Sequence, residues 1–248
     1  MTSNERADLR IIGDNSASGG SYDNVKIVGD CVVNGNLDCC DFRSVGDSRV
    51  EGSVKARSAR IVGTILVRGS LESGDLRVTG KVDTHGSLTA EKLVVRGEIN
   101  VGSGVKSDDI RLIGQTTIRE NCQAERFKSE GPINIGALLT ADDLDLRVHG
   151  RCKVSEIGGG RITVRRGHYS KFGEILKSLF IPVSYFKGTL TAESIEGDEI
   201  RLEDTKAKTV RARDVVIGDE CEVDVLEYTG ECRISSRSTV KEKRKVAT

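Results

Sequence analysis

The chain has 248 residues, 38 basic and 38 acidic side chains and hence no formal net charge, with 37% hydrophobic but only 4% aromatic residues. That balance gives no electrostatic reason to expect nucleic acid as a partner, and no apolar run is long enough to span a bilayer as a helix. Seven cysteines, an odd number with no Cys-x-x-Cys pair, support neither a disulfide framework nor a zinc site.

Taken in order, residues 1–7 are polar and are expected to be disordered, with no apolar leader segment, so a cytoplasmic location is expected. Leu9 to Gly13 reads as an irregular first coil edge, and Ser16 to Gly20 as a flexible loop. From Val25 to Ala141 glycine then returns every 17 residues, at Gly29, Gly46, Gly63, Gly80, Gly97, Gly114 and Gly131. Numbering by offset from that glycine aligns small apolar columns. Offset −4 holds Val25, Phe42, Ala59 and Leu76; offset −2 holds Ile27, Ser44, Ile61 and Val78; offset +4 holds Val33, Val50, Val67 and Thr84. Further apolar columns stand at +2, +8 and +10.

The columns form three pairs, the members of each pair two residues apart, which places both on one face of a strand. Three short strands per repeat each send a pair inward, and the positions between them are mostly charged or polar. Such a chain predicts an all-β fold, a three-sided parallel β-helix (solenoid) with about 17 residues per coil. Glycine belongs at the corner, where a sharp bend has no room for a Cβ. A narrow shaft of small aliphatics needs few rings, and two prolines in the chain fit paired strands. Coils ~4.8 Å apart stack Val on Val and Ile on Ile. Cys31, Cys39, Cys122 and Cys152 fall in inward columns, where a thiol acts as a small hydrophobe.

Beyond Asp142 the register slips, and Gly150 arrives late. The stretch 168–187 interrupts the repeat: Phe172, Ile175, Leu176, Leu179 and Phe180 have the spacing of an amphipathic helix that Pro182 ends. Its apolar face is expected to cover a flank of the solenoid, or to meet a membrane or partner. The coil resumes at Leu190 and continues through Val210, Val215, Ile217, Val223 and Val225, so the solenoid is placed at 8–234. Residues 235–248, with Lys241 to Lys245, read as a flexible basic tail.

The Gly-rich period, the short aliphatic pairs and the lack of a catalytic motif resemble the bactofilins, and the second half carries more specific likenesses. Glu156-Ile157-Gly158-Gly159 with Ile162-Thr163-Val164, and Ile195-Glu196-Gly197-Asp198-Glu199-Ile200, resemble the longer, Bacillus-type branch of that family. So do Thr205-Lys206-Ala207-Lys208, Val216-Ile217-Gly218 and Glu227-Tyr228, and the resemblance covers roughly residues 19 to 232. It implies a right-handed β-helix, end-to-end assembly into nonpolar filaments without nucleotide, and a role in cell-envelope organisation or motility. Many bactofilins carry a hydrophobic N-terminal membrane-targeting segment that this sequence lacks, so contact with the inner face of the membrane is expected only through partners.

Three sets of candidate residues follow. Polymer-end contacts are expected at Leu9, Ile11, Val25 and Ile27, and at Val215, Ile217, Val223 and Val225, because terminal coils expose unpaired backbone and apolar columns. Offset −3 aligns a basic column, Lys26, Arg43, Arg60, Arg77, Arg111 and Lys128, beside an acidic one at Asp41, Asp75, Asp109 and Asp143. It reads either as a polyanion or anionic-lipid groove or as a charge-paired face. Offset −1 aligns Val28, Val45, Val62 and Ile113, either as an exposed apolar strip or as side chains tucked in at a corner.

The expected function is a self-assembling cytoskeletal scaffold, with itself as partner and a paralogue or a membrane-associated envelope protein as further candidates. The alternative is a non-polymerising β-helix binding module, and a remote one an acyltransferase-like enzyme on a left-handed β-helix. That enzyme would show a strict hexad with 18 residues per coil and a positioned histidine; His85, His149 and His168 all read as surface residues. No catalytic, cofactor, nucleotide or metal site is expected.

Overall fold

The computed structural model describes residues 6–167 and 188–247. The architecture is the parallel β-solenoid that the period implies. Among the described residues every regular element is a strand, and within each unit the strands of neighbouring coils pair in parallel. Two compact units divide the chain, one built from Met1–Ile113 with Thr117–Glu120 and the other from Gly114–Thr116 with Asn121–Thr248.

The first unit holds β1 (Leu9–Ile12), β2 (Asn15–Val28), β3 (Cys31–Val50), β4 (Val54–Val67), β5 (Leu71–Thr84) and β6 (Leu88–Val101), with most of β7 (Val105–Ile118). Each strand wraps through a corner and buries residues in pairs. In β4 these are Val54 and Ala56, then Ala59 and Ile61, then Ile65 and Val67. Register keeps like on like: Leu37 partners Val54, which partners Leu71, which partners Leu88. In the next column Phe42 sits in register with Ala59, and Ala59 with Leu76, so a small side chain makes room for a ring and the shaft stays filled. The stretch read as a flexible loop, Ser16 to Gly20, is instead part of β2, because its backbone pairs with β3.

Corners are held in two ways. At Gly63 the backbone takes φ +114°, and a Cβ there would lie 2.3 Å from the carbonyl oxygen of Gly46 in the coil before. Only glycine allows so close a stack. Another corner uses side chains as rungs. Asn36 Oδ1 accepts the Ser53 N–H at 2.8 Å, Ser53 Oγ accepts that of Ser70 at 3.1 Å, and Ser70 Oγ that of Ser87 at 3.2 Å. Loop backbone that would be orphaned is thereby satisfied.

The second unit holds β8 (Cys122–Gly131), β9 (Ile133–Val148), β10 (Arg151–Arg166), β11 (Thr189–Leu202), β12 (Thr205–Ile217), β13 (Glu222–Tyr228), β14 (Cys232–Ile234) and β15 (Thr239–Lys245). The expected register slip falls between Val148, in register with Gly131, and Lys153, in register with Asn134, and a separate bulge follows between Val154 and Glu156 where β10 meets β9. Strand β10 pairs directly with β11, Ile157 against Ile195 and Ile162 against Ile200, so the column continues past the interruption. The helical segment expected at 168–187, with Phe172, Ile175, Leu176, Leu179 and Phe180, lies outside the described residues. At its near end Arg166 donates two hydrogen bonds, of 2.7 and 2.9 Å, to the carboxylate of Asp204. Asp204 is buried and takes φ +45°, so its charge depends on that guanidinium.

The tail expected to fray from residue 235 is ordered instead. Thr239–Lys245 form β15, parallel to β13 with Val223 partnering Val240 and Tyr228 partnering Lys245. Its composition is that of a solvated segment, but the open edge of β13 supplies the backbone partners that a tail lacks.

Candidate functional site

The N-terminal edge is one candidate. Strand β1 pairs through Leu9–Val25 and Ile11–Ile27. Among the described residues the stretch Asn15–Tyr22 of β2 pairs with β3 alone. Asp8 fastens the edge, its Oδ1 accepting the backbone N–H of Asn24 at 3.1 Å and the side-chain amide at 2.9 Å. Leu9 is half-buried and Ile11 nearly covered, whereas Val25 and Ile27 lie a layer further in, fully buried. Of the four residues expected at this end, Leu9 and Ile11 belong to the outermost layer. Ala17 and Tyr22, over Val33 and Cys39, complete its inward columns.

At the other end the expected contacts are displaced inward. Val215 and Ile217 lie beneath Cys232 and Ile234 of β14, and Val223 beneath Val240 of β15. Val225 is not an inward residue: it is half-buried, and its neighbour Leu226 takes the core position at 0% exposure. The true outer layer is β14 and β15. In it, Lys243 stands in register with Leu226, so the column Ile157, Ile195, Val210, Leu226 ends on a cation. Six residues of β15 are exposed and Val240 is half-buried. The strand is held by its ladder, by Lys241–Asp224 at 2.7 Å and Arg244–Glu227 at 3.2 Å, and by Lys243 and Lys245 over the Tyr228 ring. A charged edge strand with a cation at an inward place is a device that discourages further strand pairing.

The side faces are the other candidate. In the first unit Arg10, Lys26, Arg43, Arg60 and Arg77 are in unbroken register, and Val94 follows. All five cations are exposed. Arg43 pairs with Asp41 at 3.1 Å, and Arg77 with Asp75 at 2.9 Å, a hydrogen bond that raises the arginine pKa further. Arg111 pairs with Asp109 at 3.6 Å. Lys128 belongs to the second unit, where its in-register partner is Asp145, at 3.8 Å. The expected basic column is thus continuous from Arg10 to Arg77 and charge-paired in part.

Two residues along the same strands, the offset −1 column points outward. Ile12, Val28, Val45 and Val62 are in register, and Ile12, Val45 and Val62 are 62%, 48% and 45% exposed. The strip is therefore a surface feature and not a tucked corner. Arg10 and Ile12 escaped the sequence columns because the first coil is one residue shorter than the repeat. Round the corner, Asp14, Asp30 and Asp47 line one groove with Val32 and Leu66, and Arg49 and Lys81 stand at its side. This acidic row is marked in the sequence by an Asp directly after each of Gly13, Gly29 and Gly46.

The inward cysteines behave as core. Burial pushes Cys39 and Cys122 up to about 12 and Cys221 to about 11, and it raises Cys31 and Cys152. Cys40 and Cys232 are half-buried. Outward His85 is exposed, and His149 is half-buried with its Nε2 3.8 Å from Glu130. His168 lies outside the described residues. Among the described residues no His, Cys, Asp and Glu cluster could hold a metal ion, and no helix is long and apolar enough to cross a membrane.

The chain is similar to two uncharacterized proteins of Bacillus subtilis strain 168. It is 39% identical to YhbF over 98 residues, which cover 40% of this chain and 37% of that protein. With YhbE it shares 46% identity over 57 residues, 23% of this chain and 24% of that protein. The matched region thus spans well under half the length of either relative. No protein-family model matches the chain, and no solved structure matches it.

Proposed function

We propose that this chain is a bactofilin-like, nucleotide-independent scaffold. It self-assembles by continuing its β-solenoid end to end, and the polymer organises cell-envelope or motility machinery. The observation that carries the reading is the N-terminal edge. There Leu9, Ile11, Ala17 and Tyr22 present short apolar columns and, among the described residues, a ladder paired on one side, the kind of surface another molecule's coil completes. The scaffold is non-enzymatic, works on the cytoplasmic side, and has itself or a paralogue as first partner, with a membrane-associated envelope protein as cargo.

The experiment is sedimentation velocity with negative-stain microscopy of the purified chain without nucleotide. Assemblies are expected, and Leu9→Asp, which sets a carboxylate in the outermost layer, is expected to dissolve contacts made through that edge. A chain that stays monomeric at high concentration overturns the proposal. One observation favours the second reading, a non-polymerising binding module: β13 in the second unit is covered by β15, with Lys243 over Leu226. In that case the N-terminal edge mediates at most pairing, and polymers are absent.

A further inference from the structure

The charges of the first unit are sorted by face. Arg10, Lys26 and Arg60 make no ion pair among the described residues, and they belong to a five-cation column at one rung per coil. Asp14, Asp30 and Asp47 on the neighbouring face likewise make none. Asp14 and Asp30 precede the paired residues Asn15 and Cys31, so this row also climbs one rung per coil. Both rows repeat at the strand spacing of about 4.8 Å, in which like charges repel their neighbours. Among the described residues the acidic row makes no ion pair, and the basic column is paired at Arg43 and Arg77 alone. The exposed ladder of Ile12, Val45 and Val62 runs beside the cations, and an edge-on aliphatic strip of that kind gains by being covered.

From this we propose that the two faces are halves of one lateral interface. The basic column of one copy docks on the Asp14–Asp30–Asp47 row of a second copy, and the Ile12–Val45–Val62 ladder is covered in the contact. The two rows are commensurate because the same backbone ladder sets both, so the consecutive rungs Arg10, Lys26 and Arg43 meet Asp14, Asp30 and Asp47 in one register, with Arg43 already paired to Asp41 and Arg60 one rung beyond. The contact is heterologous and leaves each copy with an unused half, so it propagates sideways. It shares with the scaffold reading only the choice of a second copy as partner, and it does not need end stacking. The patch covers only a few coils, so one contact is weak and salt-sensitive, and it strengthens where several act together.

The test is a charge swap in the full chain. One variant carries Arg10→Glu, Lys26→Glu and Arg60→Glu; the other carries Asp14→Lys, Asp30→Lys and Asp47→Lys. Sedimentation velocity at low ionic strength is expected to show association of the wild-type chain that about 0.5 M salt suppresses. Each variant alone is expected to need about ten-fold more protein to associate, and an equimolar mixture to recover it. Circular dichroism melts confirm that both fold. Repeating the series on Leu9→Asp removes end contacts, so loss of end stacking with retained, salt-sensitive association separates this interface from the scaffold reading. Four results overturn it: no low-salt association in the Leu9→Asp chain, unchanged association in either variant, no recovery in the mixture, or wild-type co-sedimentation with anionic phospholipid vesicles in place of self-association.

Discussion

At the residue scale the corner glycines and the inward thiols carry the argument. Gly63 combines a left-handed backbone with a carbonyl oxygen 2.3 Å from where a Cβ would sit. Gly63→Ala is expected to cost about 2–4 kcal/mol, read as a fall in thermal midpoint by circular dichroism. An unchanged midpoint would mean that neighbouring coils part more readily than their packing suggests. The thiols behave oppositely, since burial disfavours the thiolate and pushes the pKa up. With Cys39 and Cys122 at about 12 and Cys221 at about 11, almost none of these groups is ionised at pH 8. Alkylation of the native chain followed by mass spectrometry is therefore expected to mark Cys40 and Cys232 first. Cys39, Cys122 and Cys221 should react only near or above those values or after unfolding, and Cys31 and Cys152, also raised by burial, should lag behind the half-buried pair. Early labelling of Cys122 would contradict the inward column. Both glycine spacing and thiol placement were legible in the sequence, because each is a local consequence of a fixed period.

At the element scale β15 is the instructive case. Its sequence, Thr-Val-Lys-Glu-Lys-Arg-Lys, has no inward-facing apolar pair, and read locally it is a soluble tail. Pairing with β13 makes it a strand, and no property of those seven residues announces that partner. The same pairing covers the expected contact Val223, and β14 covers Val215 and Ile217. Val225 failed for another reason: a coil shorter than the repeat shifted the inward place to Leu226. If β15 guards its end through the cation in the Leu226 column, Lys243→Leu should promote concentration-dependent association there. Sedimentation equilibrium measures it, and the midpoint of unfolding should move by no more than a few degrees. A variant with unaltered association would show that the ladder edge, and not Lys243, limits growth.

At the scale of the whole molecule, zero net charge conceals rows of like charge in the first unit, and the distribution matters more than the sum. An end-on contact rests on apolar burial and backbone pairing, whereas a sideways one rests on charge. Raising ionic strength is therefore expected to separate them, thinning lateral association while end-on species persist, as seen by microscopy at matched protein concentration. A single salt dependence for both would mean that one contact underlies all association.

The repeat made the fold and most inward residues readable, because a side chain's direction in a strand follows from its place in the period, and stacked coils repeat that answer. The basic column and the apolar strip were readable for the same reason. What the period could not supply was where stacking stops. An edge is defined by which backbone groups lack a neighbour, and that depends on chain segments such as β1 and β15 finding partners in space. Which charges remain unpaired, as at Arg10 and Asp30, likewise depends on distances across coils and round corners that folding sets.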